Sequence, residues 1–152
     1  MTTSKRSKKL GVRITTPNFL VYGELGCFPI IVNIKCRMLC FWSKLVSSEK
    51  LSNKIYNLIY NLHKNGTNDL KWIDFIKKTL DEIGLSFIFT NQLEINPNLI
   101  KVHAKQILCD QFVQRWRGDI VNSSRGHFYS IFKQEFCMDH TLLDSPKSIE
   151  NL

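Results

Sequence analysis

Five cysteines and four histidines are the side chains of this sequence best equipped for chemistry. Cys36 and Cys40 are four residues apart, and Cys137 stands three before His140. Four residues is about one helical turn, so the first pair would share a face. With the Cys-x-x-His pair it could complete a Cys₃His zinc site. The surroundings argue against that. The first pair sits mid-segment among Met38, Leu39, Phe41 and Trp42 rather than in a zinc-binding turn, and free buried cysteine commonly acts as a small hydrophobe. Nothing local brings His63, His103 or His127 to a thiol, so a Cys–His nucleophile pair is not indicated. Asp74 and Asp81 are interleaved with Lys71, Lys77 and Lys78, the pattern of an exposed, salt-bridged helix face. Metal-assisted phosphoryl chemistry needs converging carboxylates, and no Asp-Asp pair occurs. Gly-rich phosphate loops, Gly-x-Ser-x-Gly and His-Glu-x-x-His are also missing. Neither an enzyme nor a cofactor is expected.

Binding chemistry is better represented. The chain carries 21 Lys+Arg against 13 Asp+Glu, a formal net charge of +8. Lys5, Arg6, Lys8, Lys9 and Arg13 all precede the first acid, Glu24, so five of the surplus charges lie in residues 1–13. Such a run suits a nuclear-import signal or an arm for phosphates, and equally a solvated tail. Further on, Lys101, Lys105, Arg115, Arg125 and Lys133 fall near Trp116, Phe128 and Tyr129. Cations beside aromatic rings suit RNA or single-stranded DNA through phosphate pairing and base stacking. Against this, Trp116 and Phe128 fall on apolar stripes that belong to a core. Arg115 and Arg117 lie about 200° apart on a helix and cannot share one patch.

The elements that must position these residues follow from periodicity. The length of 152 residues fits one domain, and 43% apolar with 11% aromatic content indicates a globular chain. No apolar run approaches the roughly 18–20 residues that cross a bilayer, so no membrane association is expected. The N-terminal cations lack a following apolar segment, and the cysteine count is odd. Both favour an intracellular location, the nucleus included, with reduced thiols. Residues 14–29, with two Pro and two Gly, read as an extended, turn-rich lead-in. Residues 30–46 form a first helix, with apolar positions 31, 34, 38, 41, 42 and 45 inward. Ser52 or Asn53 caps a second, Lys54 to His63, with Ile55, Leu58, Ile59 and Leu62 on one face. Asn68 or Asp69 caps a third, its stripe Trp72, Ile73, Ile76, Leu80 and Ile83, stopped by Gly84. Leu85 to Phe89 is a strand or a docking loop. Asn96-Pro97 opens the longest helix, about Leu99 to Val121, with Leu99, Val102, Gln106, Cys109, Val113, Trp116 and Ile120 inward and Ile107, Leu108 and Phe112 widening the stripe. A last helix runs from Arg125 to about Phe136, with Phe128, Ile131, Phe132 and Phe136 inward. The expected architecture is all-α: a single small bundle of four to five helices spanning residues 14–138, after a basic segment 1–13 and before a polar tail 139–152.

Several strings, taken in order, also carry a resemblance. They are Pro17-Asn18-Phe19-Leu20-Val21-Tyr22-Gly23-Glu24-Leu25-Gly26, Lys35-Cys36-Arg37-Met38 with Phe41-Trp42, Lys71-Trp72, the Leu80 to Phe89 stretch, Gln111-Phe112-Val113-Gln114-Arg115-Trp116, and Ser123-Ser124-Arg125 leading to Phe128-Tyr129-Ser130-Ile131-Phe132-Lys133. Over roughly residues 8 to 136 the chain resembles the region C-terminal to the reverse transcriptase domain of LINE-like retrotransposon polyproteins. The resemblance implies a helical segment trailing an RNA-directed DNA polymerase that acts on element RNA and chromosomal DNA in the nucleus. The polymerase aspartates lie upstream of the matched region, so it implies no catalytic residue here. Scaffolding or template contact is the implied role, with RNA, DNA or the polymerase domain as partner. The sequence departs from the family by beginning with its own Met, by lacking the polymerase, and by stopping before the region that usually follows. Cys27 also stands where a basic residue is expected after Glu-Leu-Gly. The expectation is a retrotransposon-derived fragment with at most auxiliary nucleic-acid binding; the alternative is an intracellular helical protein-interaction module.

Overall fold

The computed structural model describes residues 13, 15–66 and 71–137, and every structural statement below concerns those. Lys5, Arg6, Lys8, Lys9, the expected caps Asn68 and Asp69, His140 and the tail 139–152 lie outside them. The fold is all-α. The helices are α1 (Asn18–Leu25), α2 (Ile30–Val46), α3 (Leu51–Lys64), α4 (Lys71–Glu82), α5 (Ser86–Thr90), α6 (Pro97–Asn122) and α7 (Gly126–Phe132). Two compact units are built from them: Met1–Ile30 with Gln111–Leu152, and Ile31–Asp110. The long α6 contributes residues to each.

Local chemistry sets the boundaries. Gly84, at φ 74°, donates its N–H to the Asp81 carbonyl while Leu85 donates to Leu80 at 2.8 Å. This is the paired bonding that ends a helix on a left-handed residue. Gly26 closes α1 in the same manner, with bonds to Gly23 and from Cys27 to Tyr22. At the start of α6, the Asn96 side-chain oxygen accepts the N–H groups of Asn98 and Leu99 at 2.9 and 3.3 Å. Pro97 fills the first position, where its missing N–H costs nothing. Helix α2 spans the residues its periodicity predicts. The lead-in holds the two-turn α1 between its turns, and residues 86–90 form the short α5 rather than a strand or loop. Helix α3 begins earlier than expected, after Lys50 and without a side-chain cap. Asn53 serves the preceding helix instead. Its amide donates to the Leu45 and Val46 carbonyls, both at 2.9 Å, satisfying groups left open at the end of α2.

The unit containing Met1–Ile30 and Gln111–Leu152 is organised around Trp116. Its indole N–H donates to the Phe19 carbonyl at 2.9 Å, and a Cβ on Gly23 would come within 2.9 Å of its ring, so only glycine lets α1 approach this closely. Phe136 packs on Phe28, Phe112 and Trp116, with centroids 5.0, 5.5 and 5.3 Å away. This cluster overturns part of the sequence expectation for the last helix. α7 stops at Phe132, Phe136 reaches the cluster from beyond it, and Phe128, Ile131 and Phe132 point outward.

The unit Ile31–Asp110 has a larger core. Val32, Cys36, Leu39, Trp42 and Val46 of α2 are buried with Ile73, Ile76, Leu80 and Ile83 from the α4 region and with Ile100, Ala104 and Leu108 of α6. The α4 stripe is the expected one, with Thr79 added and Trp72 only half-buried. The faces of three other helices differ from expectation. On α2 the buried side is 32, 36, 39, 42, 43 and 46, and Ile31, Ile34 and Phe41 are exposed. On α3 the buried residue is Tyr56, while Ile55, Leu58 and Leu62 are exposed. In the first half of α6, Leu99, Val102 and Gln106 are exposed and Ile100 and Ala104 are buried. Small side chains explain the choice on α2 and α6: Cys36, Ser43 and Ala104 permit close helix approach, and the Ser43 hydroxyl donates to the Ile95 carbonyl.

Candidate functional site

Burial quiets two of the five cysteines. Cys36 is buried, and its thiol is pushed up first by that burial and then by neighbouring Cys109, with Lys105 and Lys101 acting the other way. Burial raises the Cys109 thiol as well. Both therefore stay protonated at neutral pH, which suppresses nucleophilic and metal-ligating character. Among the described residues no three His, Cys, Asp or Glu side chains gather closely enough to hold a metal. Cys40 is half-buried and Cys137 exposed. On α4, Asp74 meets His63 Nε2 at 3.2 Å.

The basic residues are presented to solvent and divided between the two units. Arg13, Lys101, Lys105, Arg115 and Arg125 are exposed and Lys133 is half-buried. Lys101 and Lys105 stand one turn apart on α6 within the unit Ile31–Asp110, whereas Arg13, Arg115, Arg125 and Lys133 belong to the other unit. None of them makes an ion pair among the described residues.

A feature that the sequence reading assigned to the core is the most distinctive one on the surface. Helices α2, α3 and α4 enclose a cleft of ≈ 450 Å³ lined by Phe41, Leu45, Ser52, Ile55, Tyr56, Ile59 and Trp72. The rings of Phe41 and Trp72 meet edge to face at 6.2 Å, and Tyr56 and Trp72 at 6.5 Å. Phe41 is 55% and Ile55 49% exposed, so the lining is open to solvent. From the cleft an apolar row continues along α3 through Leu51, Leu58 and Leu62, exposed by 70%, 62% and 38%. Spacings of four, three and four residues from Leu51 through Ile55 and Leu58 to Leu62 keep the row on one face.

No family model, curated protein or solved structure matches this chain. The cleft is accordingly read from its own residues.

Its floor is fixed by a buried polar chain. The Trp42 indole N–H donates to Tyr56 Oη at 2.7 Å, Tyr56 donates to Gln92 Oε1 at 2.8 Å, and the Gln92 amide donates to the Phe89 carbonyl at 2.6 Å. Gln92 adopts φ 49° to do so. With its hydroxyl committed, Tyr56 gives the cleft an aromatic wall. Burial pushes its phenol above the ordinary value of 10.0, against the opposing hydrogen bonds with Trp42 and Gln92, and it remains neutral at physiological pH. The other polar side-chain groups of the lining residues are the Ser52 hydroxyl and the Trp72 indole N–H. Binding pockets for small polar molecules place several polar groups to fix orientation; this cleft instead suits apolar side chains. The signal for it in the sequence is the pair of apolar positions Phe41 and Leu45, which lie off the buried face of α2.

Proposed function

We propose that this chain is a non-catalytic helical protein-interaction module whose working surface is the cleft between α2, α3 and α4. The carrying observation is the continuity of an aromatic-walled cleft with the exposed Leu51–Ile55–Leu58–Leu62 row. Contiguous apolar surface of this kind marks docking sites, whereas isolated exposed hydrophobes do not. Helix-in-groove recognition uses anchors at i, i+3, i+4 and i+7, and an α-helix about 10–12 Å across with its side chains can lay such anchors along this surface. Trp72 provides the readout, because Trp42 and Trp116 are fully buried and Trp72 lines the cleft. An uncharged helical peptide with Leu at those four positions should shift tryptophan emission saturably. The shift should disappear in Trp72→Phe, and the binding in Ile55→Gln/Leu58→Gln. Flat titrations with this peptide and with its acidic and basic analogues overturn the reading.

A second reading rests on the resemblance and on the exposed, unpaired cations. In it the chain is a segment derived from a retrotransposon reverse transcriptase polyprotein, working inside the cell and in the nucleus. The polymerase domain is its protein partner, and Arg13, Lys101, Lys105, Arg115 and Arg125 supply auxiliary RNA or DNA contact. Loss of salt-dependent RNA binding on neutralising these cations supports it; unchanged binding removes it.

A further inference from the structure

We infer that the partner segment taken by the cleft is an acidic amphipathic helix, an inference that rests on the docking reading above. Helices α2 and α3 carry Lys35, Arg37, Lys44, Lys54 and Lys64 and not one Asp or Glu. Lys35 is engaged by Glu82. Arg37, Lys44 and Lys54 are placed around the apolar surface by helical spacing, and Lys64 lies on the far side of α3. Arg37 stands four residues before Phe41 and Lys44 three after it, so both flank that ring on the exposed side of α2. Lys54 stands three after Leu51 and four before Leu58, beside the α3 row. Arg37, Lys44 and Lys54 are all exposed. In the link between α2 and α3 the exposed Glu49 is matched by the exposed Lys50 beside it, and the acids of α4 do not offset the cations at the cleft. Asp74 faces His63 and Glu82 faces Lys35, while Asp81 lies nine residues along the helix from Trp72, about 13 Å by the helical rise.

An apolar surface edged by cations favours an apolar stripe edged by carboxylates and repels a basic one. The same charges disfavour a second copy. A two-fold interface would bring each patch against itself, setting Arg37, Lys44 and Lys54 against their own equivalents. The occupant is therefore a helix with apolar anchors at i, i+3, i+4 and i+7 and Asp or Glu on the flanks.

The test titrates the full chain with three helical peptides sharing the same four Leu anchors and carrying Glu, Gln or Lys at the flanks. The Glu peptide should bind roughly tenfold tighter than the Gln peptide and the Lys peptide more weakly than either. The preference should fade at about 1 M salt, where screening acts over about 3 Å. Arg37→Glu/Lys44→Glu should invert the order, and Arg37→Gln/Lys44→Gln should level it. Both pairs are exposed, so folding is retained and is checked by an unchanged melting temperature. Equal binding of the Glu and Gln peptides overturns the acidic partner and leaves helix docking intact. No binding of any peptide overturns both. Preference for vesicles rich in phosphatidylserine over the Glu peptide overturns the inference in favour of a lipid surface, and concentration-dependent dimerisation through the cleft overturns it in favour of a second copy.

Discussion

Tyr56 shows how one side chain can serve the fold and the cleft together. Its ring walls the apolar surface while its hydroxyl links α2, α3 and the turn after α5 through Trp42 and Gln92. Replacing it by Phe keeps the ring and strands a buried indole N–H, a loss of about 1–3 kcal/mol. Urea unfolding of Tyr56→Phe should show a lower midpoint with an unchanged slope; an unmoved midpoint means water replaces the hydroxyl. The raised phenol adds a pH signature. Above about pH 10 the unfolded chain releases this proton while the folded chain retains it, so stability falls as pH rises toward the folded value. Cys36 and Cys109 push the same way from their ordinary 9.0. Tyr56→Phe should remove the phenol's share of the alkaline loss and leave the thiols' share. None of this network was legible in the sequence. Residues 42, 56 and 92 are joined only by tertiary packing, and no local spacing encodes that.

The buried face was legible on α4, where one apolar stripe faces a polar side, but not on α2, where apolar side chains lie all round, nor on α3, whose apolar row stays exposed. α4 alternates charge with a narrow apolar stripe, and both its buried face and its Gly84 stop follow from the sequence. α2 was placed to the residue, yet its buried face was not, because apolar side chains surround it. Periodicity puts 31, 34, 38, 41, 42 and 45 inward, whereas the structure buries 32, 36, 39, 42, 43 and 46, the two sharing only Trp42. The small Cys36 and Ser43 favour the observed face, and Phe41 and Leu45 of the expected one line the cleft. On α6 the same ambiguity arises because Ala104 marks the buried side with a weak apolar signal. Mutations can separate the two kinds of row. Leu39, fully buried on α2, should cost about 2–5 kcal/mol when changed to Ala. Leu58, on the exposed α3 row, should change stability by no more than about 0.5 kcal/mol when changed to Gln. Thermal unfolding of the two variants tests the assignment, and a Leu58→Gln loss as large as that of Leu39→Ala would place the α3 row in the core.

At the scale of the whole molecule, charge decides between the two functional readings. Five of the eight surplus charges lie in residues 1–13, and the candidate phosphate-binding cations of the body are divided between two units, Lys101 and Lys105 in one and Arg115, Arg125 and Lys133 in the other. Nucleic-acid affinity scales with the number of phosphates neutralised, and log K falls with log salt by about 0.7–0.9 per contact. A body that reads RNA or DNA needs several contacts of its own; a basic tail needs none from the body. Binding of a structured RNA and a matched DNA duplex across a salt series separates these cases. The comparison is between the native chain and one with Lys5, Arg6, Lys8, Lys9 and Arg13 changed to Gln. The concentration of surplus charge in residues 1–13 predicts that the slope collapses to about one contact or less in the variant, while peptide binding at the cleft is unchanged. A steep slope that survives the five substitutions contradicts this and shifts the working surface from the cleft to the cations of α6 and the segment that follows it. The two proposed activities can be told apart with the Gln peptide, because its docking rests on apolar contact, which salt does not weaken, whereas phosphate binding falls with salt.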